Sequence, residues 1–458
     1  MRSTLFKNQS HSEIEALWFS DTFIYSRSQD QNLSRWEIVQ VAIRLSLKII
    51  SEQSLSAIVF FQQRHYFLIS CLAIALKNGR VILPPNTTEN TLKKLQEESS
   101  NLWVLGDNTP PILQQTHQIS SQEIDVIIRS VKHFTPPFKL DELTCFFEDI
   151  HQSKILLYTS GSTGEPKCVI KTWKNMIESA NLAIGRFNLM TPCFIVTTVP
   201  NQHMFGLETS IFWPFFSKAS LWYERPIFPD DIISALSAHT QHPALLVSTP
   251  LHLKKITAFQ LDWPKHLKRL LSATAPMPPS LAQQIETQMG VQVFEVYGST
   301  ETASIASKQS TSTNLWLCYQ QVEFQKMSLN QYTVKTPGLN AFEPLNDQIE
   351  LIDHQQFKLG KRDSDLIKVA GKRTSLTELN QYLQSIEGIS EGVFIQPKNT
   401  ERLVAFVVST LRNAEIQKAL RKMIDPVFLP RPIITLHTLP RNEVGKILYN
   451  ELSKELVK

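Results

Sequence analysis

Glycine is scarce in this 458-residue sequence, which has only 14 glycines against 25 prolines. Proteins use about 7% glycine on average. A chain that uses so little is expected to keep glycine where the backbone needs a positive φ or approaches a ligand closely. The positions of the remaining glycines therefore indicate where a binding site should be sought.

Long apolar segments are also missing. The longest apolar run, 66–76, has eleven residues and contains Ser70, whereas a membrane-spanning helix needs about 20 apolar residues. The N-terminal residues include no apolar core of the kind that secretory signal peptides have. These features predict a cytoplasmic protein without a membrane span.

Cysteine usage and charge exclude further classes of protein. The five cysteines are scattered and form no CxxC pair, so neither a disulfide framework nor a zinc site is expected. The net charge of +4 is too small to indicate a nucleic-acid-binding protein. Hydrophobic residues make up 42% and charged residues 19% of the chain, an ordinary globular composition that excludes a disordered chain and a coiled coil.

Short apolar runs alternate with helical segments in the first part of the chain. Strands are predicted at 56–61, 81–83, 102–105 and 155–158, and helices at 66–76, 91–98 and 173–187. This alternation is typical of βαβ units that build a parallel sheet. The sequence therefore predicts an α/β fold with a large N-terminal body of α/β layers.

Two other regions differ from this body. From 307 to 346, short strands such as 331–335 and turn residues predict an antiparallel patch appended to the body. A hydrophilic segment then predicts a boundary near Ser364, which divides the chain into a large domain, 1–363, and a small α+β domain, 364–458. The small domain has 14 Lys and Arg against 10 Asp and Glu, which accounts for the whole net charge. That charge is either a solvated surface or an attraction for an anionic partner.

The segment Tyr158–Lys167, YTSGSTGEPK, is the first candidate site. It follows a predicted strand and precedes a predicted helix. Hydroxyls and free backbone N–H groups bind polyphosphate, and glycine lets the backbone approach it. A Walker A loop is excluded because Pro166 and Cys168 flank the lysine, which leaves an ordinary surface loop as the alternative. The candidate phosphate-binding residues are Thr159, Ser160, Gly161, Ser162, Thr163, Gly164 and Lys167.

This block resembles the phosphate-loop signature of the adenylate-forming superfamily, which includes acyl- and aryl-CoA synthetases, luciferases and peptide-synthetase adenylation domains. Further blocks that resemble the family follow in the family's order as far as Lys446. Residues 371–376, GKRTSL, are similar to the GKRVSL form of acyl-carrier-protein ligases of the aryl-polyene type. The resemblance implies a large adenylation domain, a hinge and a small mobile domain.

The block VPNQHMFGLE, 199–208, resembles the family's His-x-x-Gly block. The resemblance implies that His203 lies between the nucleotide and the acyl tunnel, and that Gly206 lets a helix start close to the substrate. Without the other blocks, a buried structural histidine would be the better explanation of His203. The block 270–282 resembles the adenine-side turn, with Ala275 and Pro276 at the family's Ala-Pro and with Thr274 narrowing the acyl pocket.

The block VFEVYGSTETAS, 293–304, is the second clear match. Its strand is expected to end at Val296, so that Tyr297 offers an aromatic face to adenine and Gly298 permits a turn. Thr300 offers a hydroxyl to the α-phosphate, and Glu301 offers a hard oxygen ligand for Mg²⁺. The resemblance implies the same roles, while the string alone also fits the N-terminus of a helix.

The last three blocks lie toward the C-terminus. Asp347 stands where the family has an acid that binds the ribose, although the preceding Thr-Gly pair is absent, and Arg362 matches the second ribose ligand. The family's hinge acid is replaced by Ser364. The resemblance makes Lys446, in LPRNEVGKIL, the catalytic lysine that bridges the carboxylate and the α-phosphate.

The function implied is an ATP- and Mg²⁺-dependent ligase that converts an aryl or short acyl carboxylic acid into acyl-AMP, releases pyrophosphate, and transfers the acyl group to a thiol. The thiol belongs either to coenzyme A or to the phosphopantetheine of an acyl carrier protein. The alternatives are a non-catalytic sensor of nucleotide or acyl-adenylate and an amino-acid-activating adenylation domain.

Overall fold

The computed structural model of the chain describes most of the sequence, namely residues 10–27, 32–50, 55–84, 87–99, 101–160, 166–362, 366–369, 372–397, 402–442 and 445–456. The chain divides into two compact units. The first comprises Met1–Glu323 and Lys335–Glu343, and the second comprises Phe324–Val334 and Pro344–Lys458. The predicted boundary near Ser364 falls within the second unit, outside the described residues, so it stays a prediction.

The first unit contains two sheets and most of the helices. Its strands are β1 Thr22–Tyr25, β2 Leu33–Ser34, β3 Leu55–Val59, β4 Arg80–Leu83, β5 Asn101–Leu105, β6 His117–Ile119, β7 Lys154–Ser160, β8 Pro166–Thr172, β9 Cys193–Thr197, β10 Ala219–Trp222, β11 Ala244–Ser248, β12 Leu267–Ser272, β13 Gln292–Ser299, β14 Ala303–Gln309 and β15 Trp316–Cys318. Its α-helices are α1 His11–Glu15, α2 Arg35–Lys48, α3 Arg64–Leu76, α4 Glu89–Glu97, α5 Ser121–His133, α6 Leu140–Ile150, α7 Trp173–Phe187, α8 Met204–Leu207, α9 Trp213–Phe215, α10 Pro229–Ser237, α11 Pro250–Ile256 and α12 Pro279–Met289.

One sheet has the strand order β6-β5-β3-β4-β7-β8. Its strands run parallel except for β8, which pairs antiparallel with β7. All five residues of β3 are buried, as expected for a strand covered on both faces. The predicted alternation of strands and helices is present, and the α/β fold class is confirmed.

Within the first unit, the other sheet has the order β15-β14-β13-β12-β11-β9-β10-β1-β2. The strands from β13 to β1 are parallel to their neighbours, while β14, β15 and β2 are antiparallel additions at the two ends. The carboxyl ends of β9, β12 and β13 therefore meet at one edge, where parallel sheets bind their ligands. Three of the sequence blocks follow these strand ends.

The second unit contains most of the appended strands and the C-terminal domain. Three short strands fall at the division of the units, namely β16 Glu323–Ser328, β17 Gln331–Lys335 and β18 Glu343–Pro344. Only two residues join β16 to β17, a connection short enough for an antiparallel hairpin. The other strands are β19 Asp347–Leu351, β20 Gln356–Arg362, β21 Leu366–Val369, β22 Lys372–Ser375, β23 Ile389–Ile395, β24 Val404–Ser409 and β25 Ile433–Thr435. The helices are α13 Leu376–Gln384, α14 Asn413–Leu420 and α15 Tyr449–Lys454.

A separate hydrophobic core supports the C-terminal part of this unit. Leu383 of α13 and Leu420 of α14 are fully buried against Phe394 and Val407, which belong to the sheet β23-β24-β25. Among the described residues of either unit, no helix is long and apolar enough to span a membrane. The cytoplasmic location stays a prediction.

Candidate active site

The predicted phosphate loop joins two antiparallel strands. Thr159 and Ser160 are the last residues of β7, and their Cα partners on β8 are Lys167 and Pro166. The helix predicted after the loop is present as α7, which begins at Trp173, but strand β8 lies between the loop and this helix and was not predicted. The prediction for Gly161, Ser162, Thr163 and Gly164 concerns positions outside the described residues.

Lys167 and Glu301 form an ion pair between two of the predicted blocks. The Lys167 Nζ lies 3.3 Å from the Glu301 Oε1, although the two residues are 134 positions apart in the sequence. The Lys167 side chain is 66% exposed and that of Glu301 22%. An exposed pair of this kind adds only about 0–1 kcal/mol to stability. The pair is informative mainly because it brings two of the predicted blocks into contact.

The Glu301 carboxylate is held in its ionised form. Burial raises its pKa, but hydrogen bonds from its own backbone N–H, from Lys167 and from Ser299, together with the Lys167 charge, bring the pKa below the ordinary glutamate value. Thr300, the neighbouring residue, is half-buried. The segment 300–301 therefore offers a hydroxyl and a charged carboxylate side by side.

The backbone around this carboxylate differs from the prediction. Strand β13 continues through Tyr297 and Gly298 to Ser299, and the chain returns as β14 from Ala303. The predicted strand end at Val296 and the alternative of a helix N-terminus are both wrong. Gly298 lies within the strand rather than at the turn, and a Cβ there would lie 2.2 Å from the Ala303 carbonyl oxygen. Glycine is needed because the two strands approach each other closely at this point.

Tyr297 is only 9% exposed. Its ring packs against Trp316 with 5.5 Å between the ring centroids and an angle of 54° between the planes. The sequence indicated the aromatic ring but not the tryptophan that supports it. Its predicted contact with adenine stays a prediction.

The predicted adenine-side turn follows β12. Thr274 has a φ of +78°, a conformation that L-residues other than glycine seldom adopt, while Ala275 and Pro276 are exposed. The turn is held by a residue that the sequence reasoning missed, because the Met277 N–H donates to the buried Glu295 Oε2 at 3.0 Å. An acidic residue in the middle of a buried strand was the available signal.

His203 directly precedes the short helix α8 and is half-buried. Gly206 lies in that helix, and a Cβ there would lie 1.9 Å from the carbonyl oxygen of Pro200. The glycine is therefore required by the close packing of the helix on its own preceding loop. That this helix start lies close to a substrate, as the resemblance implies, stays a prediction.

Two buried charged residues behind Glu301 were also missed. Lys171 is 6% exposed and donates to the Glu301 backbone carbonyl, and burial lowers its pKa. Glu208 is 2% exposed, and its Oε1 accepts hydrogen bonds from the Ser304 N–H at 3.1 Å and the Ser304 hydroxyl at 2.6 Å. A lysine in a strand and a glutamate in an apolar helical segment were the available signals.

Burial raises the pKa of Glu208 to about 7. The hydrogen bonds from Ser304, the charge of Lys171 and a hydrogen bond with Trp213 act in the opposite direction but do not cancel this effect. The folded protein therefore holds a proton at this site over a pH range in which the unfolded chain has lost it. The stability that this proton confers is complete below about pH 4.5 and is lost as the pH rises through about 7.

We expect Glu208→Gln to reduce the pH dependence of the unfolding free energy. From pH 5 to pH 8 the unfolding free energy of the wild type should fall relative to that of the variant by up to roughly 3 kcal/mol, from the shift toward about 7. Urea titrations of both proteins at each pH provide the measurement. A difference between the two proteins that stays constant over this range would contradict the raised pKa.

The remaining predicted residues belong to the second unit. Asp347 is 8% exposed and is the Cα partner of Arg362 across the hairpin of β19 and β20. The fold thus brings the two predicted ribose ligands opposite each other, although they are separated by fifteen positions in the sequence. Lys446 is exposed, and its backbone N–H donates to the Asn442 Oδ1 at 2.8 Å.

Arg441 organises the segment that carries Lys446. Its Nη1 donates to the Gly445 carbonyl at 2.7 Å, while its Nε and Nη2 donate to the Glu391 Oε2 at 3.1 and 2.7 Å. Arg441 is also bridged in the backbone to Ile447. Gly445 is therefore tied to β23 through the Arg441 guanidinium, and Ile447 is held by the backbone of the same residue.

The described residues contain no group of three or more His, Cys, Asp or Glu side chains that could hold a metal ion by themselves. Mg²⁺ is usually held by one or two carboxylates together with substrate phosphates. The ionised, partly exposed carboxylate of Glu301 fits that requirement, because it can supply one oxygen ligand to an ion that a nucleotide brings with it.

Comparisons with known proteins agree with these observations. The profile of the family described as AMP-binding enzyme matches residues 40–334. The 2-succinylbenzoate–CoA ligase of Oceanobacillus iheyensis is 24% identical over 68% of this chain and 70% of its own length. The 3,4-dihydroxybenzoate–[aryl-carrier protein] ligase of Bacillus anthracis is 20% identical over 77% of this chain and 85% of its own.

Among solved structures, the O-succinylbenzoate coenzyme A synthetase of Bacillus subtilis, in complex with ATP and magnesium ion, has the same fold. The TM-score is 0.75 at 18% identity, with 96% of this chain and 98% of that chain covered. The similarity therefore extends through both compact units of the chain.

Proposed function

Because this chain belongs to the AMP-binding enzymes, we propose that it activates a carboxylic acid with ATP and transfers the acyl group to a thiol. The resemblance of its sequence to the adenylate-forming superfamily is confirmed, and its relatives include acid–CoA ligases and an aryl-carrier-protein ligase. The observation that carries the proposal is the Lys167–Glu301 ion pair, which joins the end of the phosphate loop to the carboxylate beside Thr300.

The reaction has two steps. In the first, a carboxylate oxygen bonds to the α-phosphorus of ATP, and the bond from that phosphorus to the pyrophosphate oxygen breaks. In the second, the thiol sulfur bonds to the acyl carbon, AMP leaves, and the thiol proton passes to solvent. Both reactants of the first step are anions, so the protein's contribution is to position them and to stabilise the developing charge.

The residues of the first unit divide this work. The hydroxyls of Thr159 and Ser160 and the loop 161–164 would hold the β- and γ-phosphates with Lys167, and Thr300 would bind the α-phosphate. Glu301 would hold Mg²⁺, which neutralises phosphate charge when it is bound. Ala275, Pro276 and Tyr297 with Gly298 would border the adenine, and His203 would lie between the nucleotide and the acid.

The second unit supplies the remaining groups. Asp347 and Arg362, opposite each other on one hairpin, would bind the ribose hydroxyls. The Lys446 ammonium would bridge the carboxylate and the α-phosphate while the adenylate forms, and a small domain that moves at a hinge near Ser364 would then admit the thiol. No general base is needed, because the carboxylate is already ionised.

We propose an aryl or short acyl acid as the substrate. Thr274 is half-buried at the turn where the pocket would end, and its side chain would take space that a longer acyl chain needs. The names of the relatives, 2-succinylbenzoate, 3- and 4-hydroxybenzoate and 3,4-dihydroxybenzoate ligases, support an aromatic acid. The thiol acceptor is either coenzyme A or carrier-protein phosphopantetheine.

ATP–pyrophosphate exchange measured over a panel of aryl, short acyl, fatty and amino acids tests the proposal. We expect exchange with at least one aryl or short acyl acid, followed by thioester formation with one of the two acceptors. ATP binding without exchange for any acid would indicate a nucleotide sensor instead. Exchange confined to amino acids would indicate an amino-acid-activating domain.

Arg441→Met should slow exchange without weakening ATP binding. The substitution removes the hydrogen bonds to Gly445 and Glu391 that fix the segment of Lys446, and charged hydrogen bonds of this kind contribute about 1.5–3 kcal/mol each. We therefore expect kcat for exchange to fall about tenfold or more. Arg412→Met is the matched control, because Arg412 forms an exposed pair with Glu415 elsewhere in the same unit. An equal effect of both variants would contradict the assignment.

A further inference from the structure

We propose that Lys171 and Glu208 are positioning residues that hold the turn between β13 and β14 and thereby direct the Glu301 carboxylate. This inference rests on the proposed function, because it concerns the same nucleotide site. Lys171 lies outside the blocks that resemble the family, and Glu208 is the last residue of the block 199–208, a position for which the resemblance implies no role. Neither would touch the nucleotide, since both are buried behind the turn.

The turn is secured locally at its two ends. The Ser299 N–H donates to the Thr302 Oγ1 at 3.0 Å, and the Thr302 N–H donates to the Ser299 Oγ at 3.1 Å. Ala303 has a φ of +60°, in the left-handed region that costs a non-glycine residue about 1–2 kcal/mol. These bonds close the turn, but they do not fix it relative to the rest of the protein.

Lys171 supplies one of the external contacts. It lies on β8, four residues after Lys167, and its ammonium donates to the backbone carbonyl of Glu301. A buried ammonium loses its hydration and needs both an acceptor and a nearby negative charge. The carbonyl of Glu301 is its acceptor, and the carboxylates of Glu208, Glu301 and Glu343 act on it electrostatically.

Glu208 supplies the other external contact. One oxygen of its carboxylate accepts from both the N–H and the hydroxyl of Ser304, the residue that follows the left-handed Ala303. Lys171 therefore fixes the turn at Glu301, and Glu208 fixes it three residues later. The two side chains come from β8 and from the segment after α8, so two other parts of the chain hold the turn that carries the Glu301 carboxylate.

The burial of Lys171 and Glu208 behind the turn is not explained by a contribution to stability alone. A buried Lys–Glu arrangement is often no more stable than apolar residues of similar size, so the fold does not need it. Partners that orient a metal-binding carboxylate are different, because their loss typically weakens metal binding 10- to 100-fold. The contacts of Lys171 and Glu208 with the turn place them to orient the Glu301 carboxylate, so their loss should weaken Mg²⁺ binding.

Calorimetry of ATP binding, with Mg²⁺ and with EDTA, tests the inference without requiring an acid or a thiol. We expect Mg²⁺ to strengthen ATP binding to the wild type, and Lys171→Met to reduce this enhancement about tenfold or more while binding in EDTA changes little. Lys171→Arg keeps a cation that can donate to the carbonyl, so it should recover part of the enhancement. Lys174→Met removes a charge from an exposed position nearby and should behave as the wild type.

The possible results separate the two proposals. If the wild type itself shows no Mg²⁺-dependent ATP binding, the proposed function fails together with this inference. If the wild type shows it and the folded Lys171→Met variant keeps the full enhancement, only the inference is overturned. A loss of equal size with Mg²⁺ and with EDTA would also overturn it, since that result indicates a general structural role.

If Lys171→Met does not fold, the same calorimetry on Glu208→Gln tests the inference instead. Glutamine keeps the Oε1 that accepts both bonds from Ser304 but removes the charge that faces Lys171 once the pH exceeds about 7, so this variant is compared with the wild type at pH 8. We expect this variant to reduce the Mg²⁺ enhancement measurably, and an unchanged enhancement would overturn the inference.

Discussion

Lys446→Ala should abolish acid-dependent ATP–pyrophosphate exchange while leaving ATP binding nearly unchanged. The ammonium is proposed to contact the carboxylate and the α-phosphate at the moment when negative charge concentrates between them. Removal of one such preorganised group typically lowers kcat by about 10²–10³-fold. The side chain is exposed, so its loss should not affect folding, and the thermal midpoint should remain that of the wild type.

Lys454→Ala is the matched control for this prediction. Lys454 is 68% exposed, belongs to the same compact unit and pairs with Glu451 on the last helix. It shares the charge and exposure of Lys446 but not its place in the LPRNEVGKIL block. Unimpaired exchange in Lys446→Ala, or equal losses in both variants, would remove Lys446 from the mechanism.

Local patterns predicted much of the fold. The helix expected at 173–187 runs from Trp173 to Phe187, because Thr172 caps its start by accepting from the Asn175 N–H at 3.1 Å and an apolar stripe faces the core. The strand expected at 331–335 has the same bounds in the structure. Both elements depend on interactions within a few residues, which sequence patterns record well.

The candidate site was predicted less completely, because it depends on contacts between distant segments. The composition around Gly298 indicates a turn. In the structure Gly298 instead lies in strand β13, at a point where the backbone of β14 approaches it closely. Nothing local to Lys171 or Glu208 indicates that they meet the turn that carries Glu301 from two other elements. Motifs identify the residues proposed to face the nucleotide, whereas the residues that support them are visible only once the chain is folded.

Glu301→Gln should raise the Mg²⁺ concentration that half-maximal exchange requires, by about tenfold or more. Glutamine has nearly the size of glutamate and can still accept a hydrogen bond from Lys167, so the ion pair at 3.3 Å becomes a hydrogen bond from the ammonium to an uncharged amide oxygen. It loses the charge, and a neutral amide oxygen is a weaker ligand for Mg²⁺ than the carboxylate oxygen that this ion usually binds in proteins. A Mg²⁺ titration of exchange at fixed ATP and acid provides the measurement.

Glu142→Gln is the matched control, because Glu142 also pairs with a lysine, Lys139, at 2.8 Å on the surface of the first unit. If Glu301 binds Mg²⁺, the titration shifts in Glu301→Gln alone, and excess Mg²⁺ restores a large part of the rate. If Glu301 serves only to neutralise Lys167, saturating Mg²⁺ cannot restore the rate, since the defect then lies in the loop. An unchanged titration with a normal rate would exclude both roles and leave the Lys167–Glu301 pair as a surface contact.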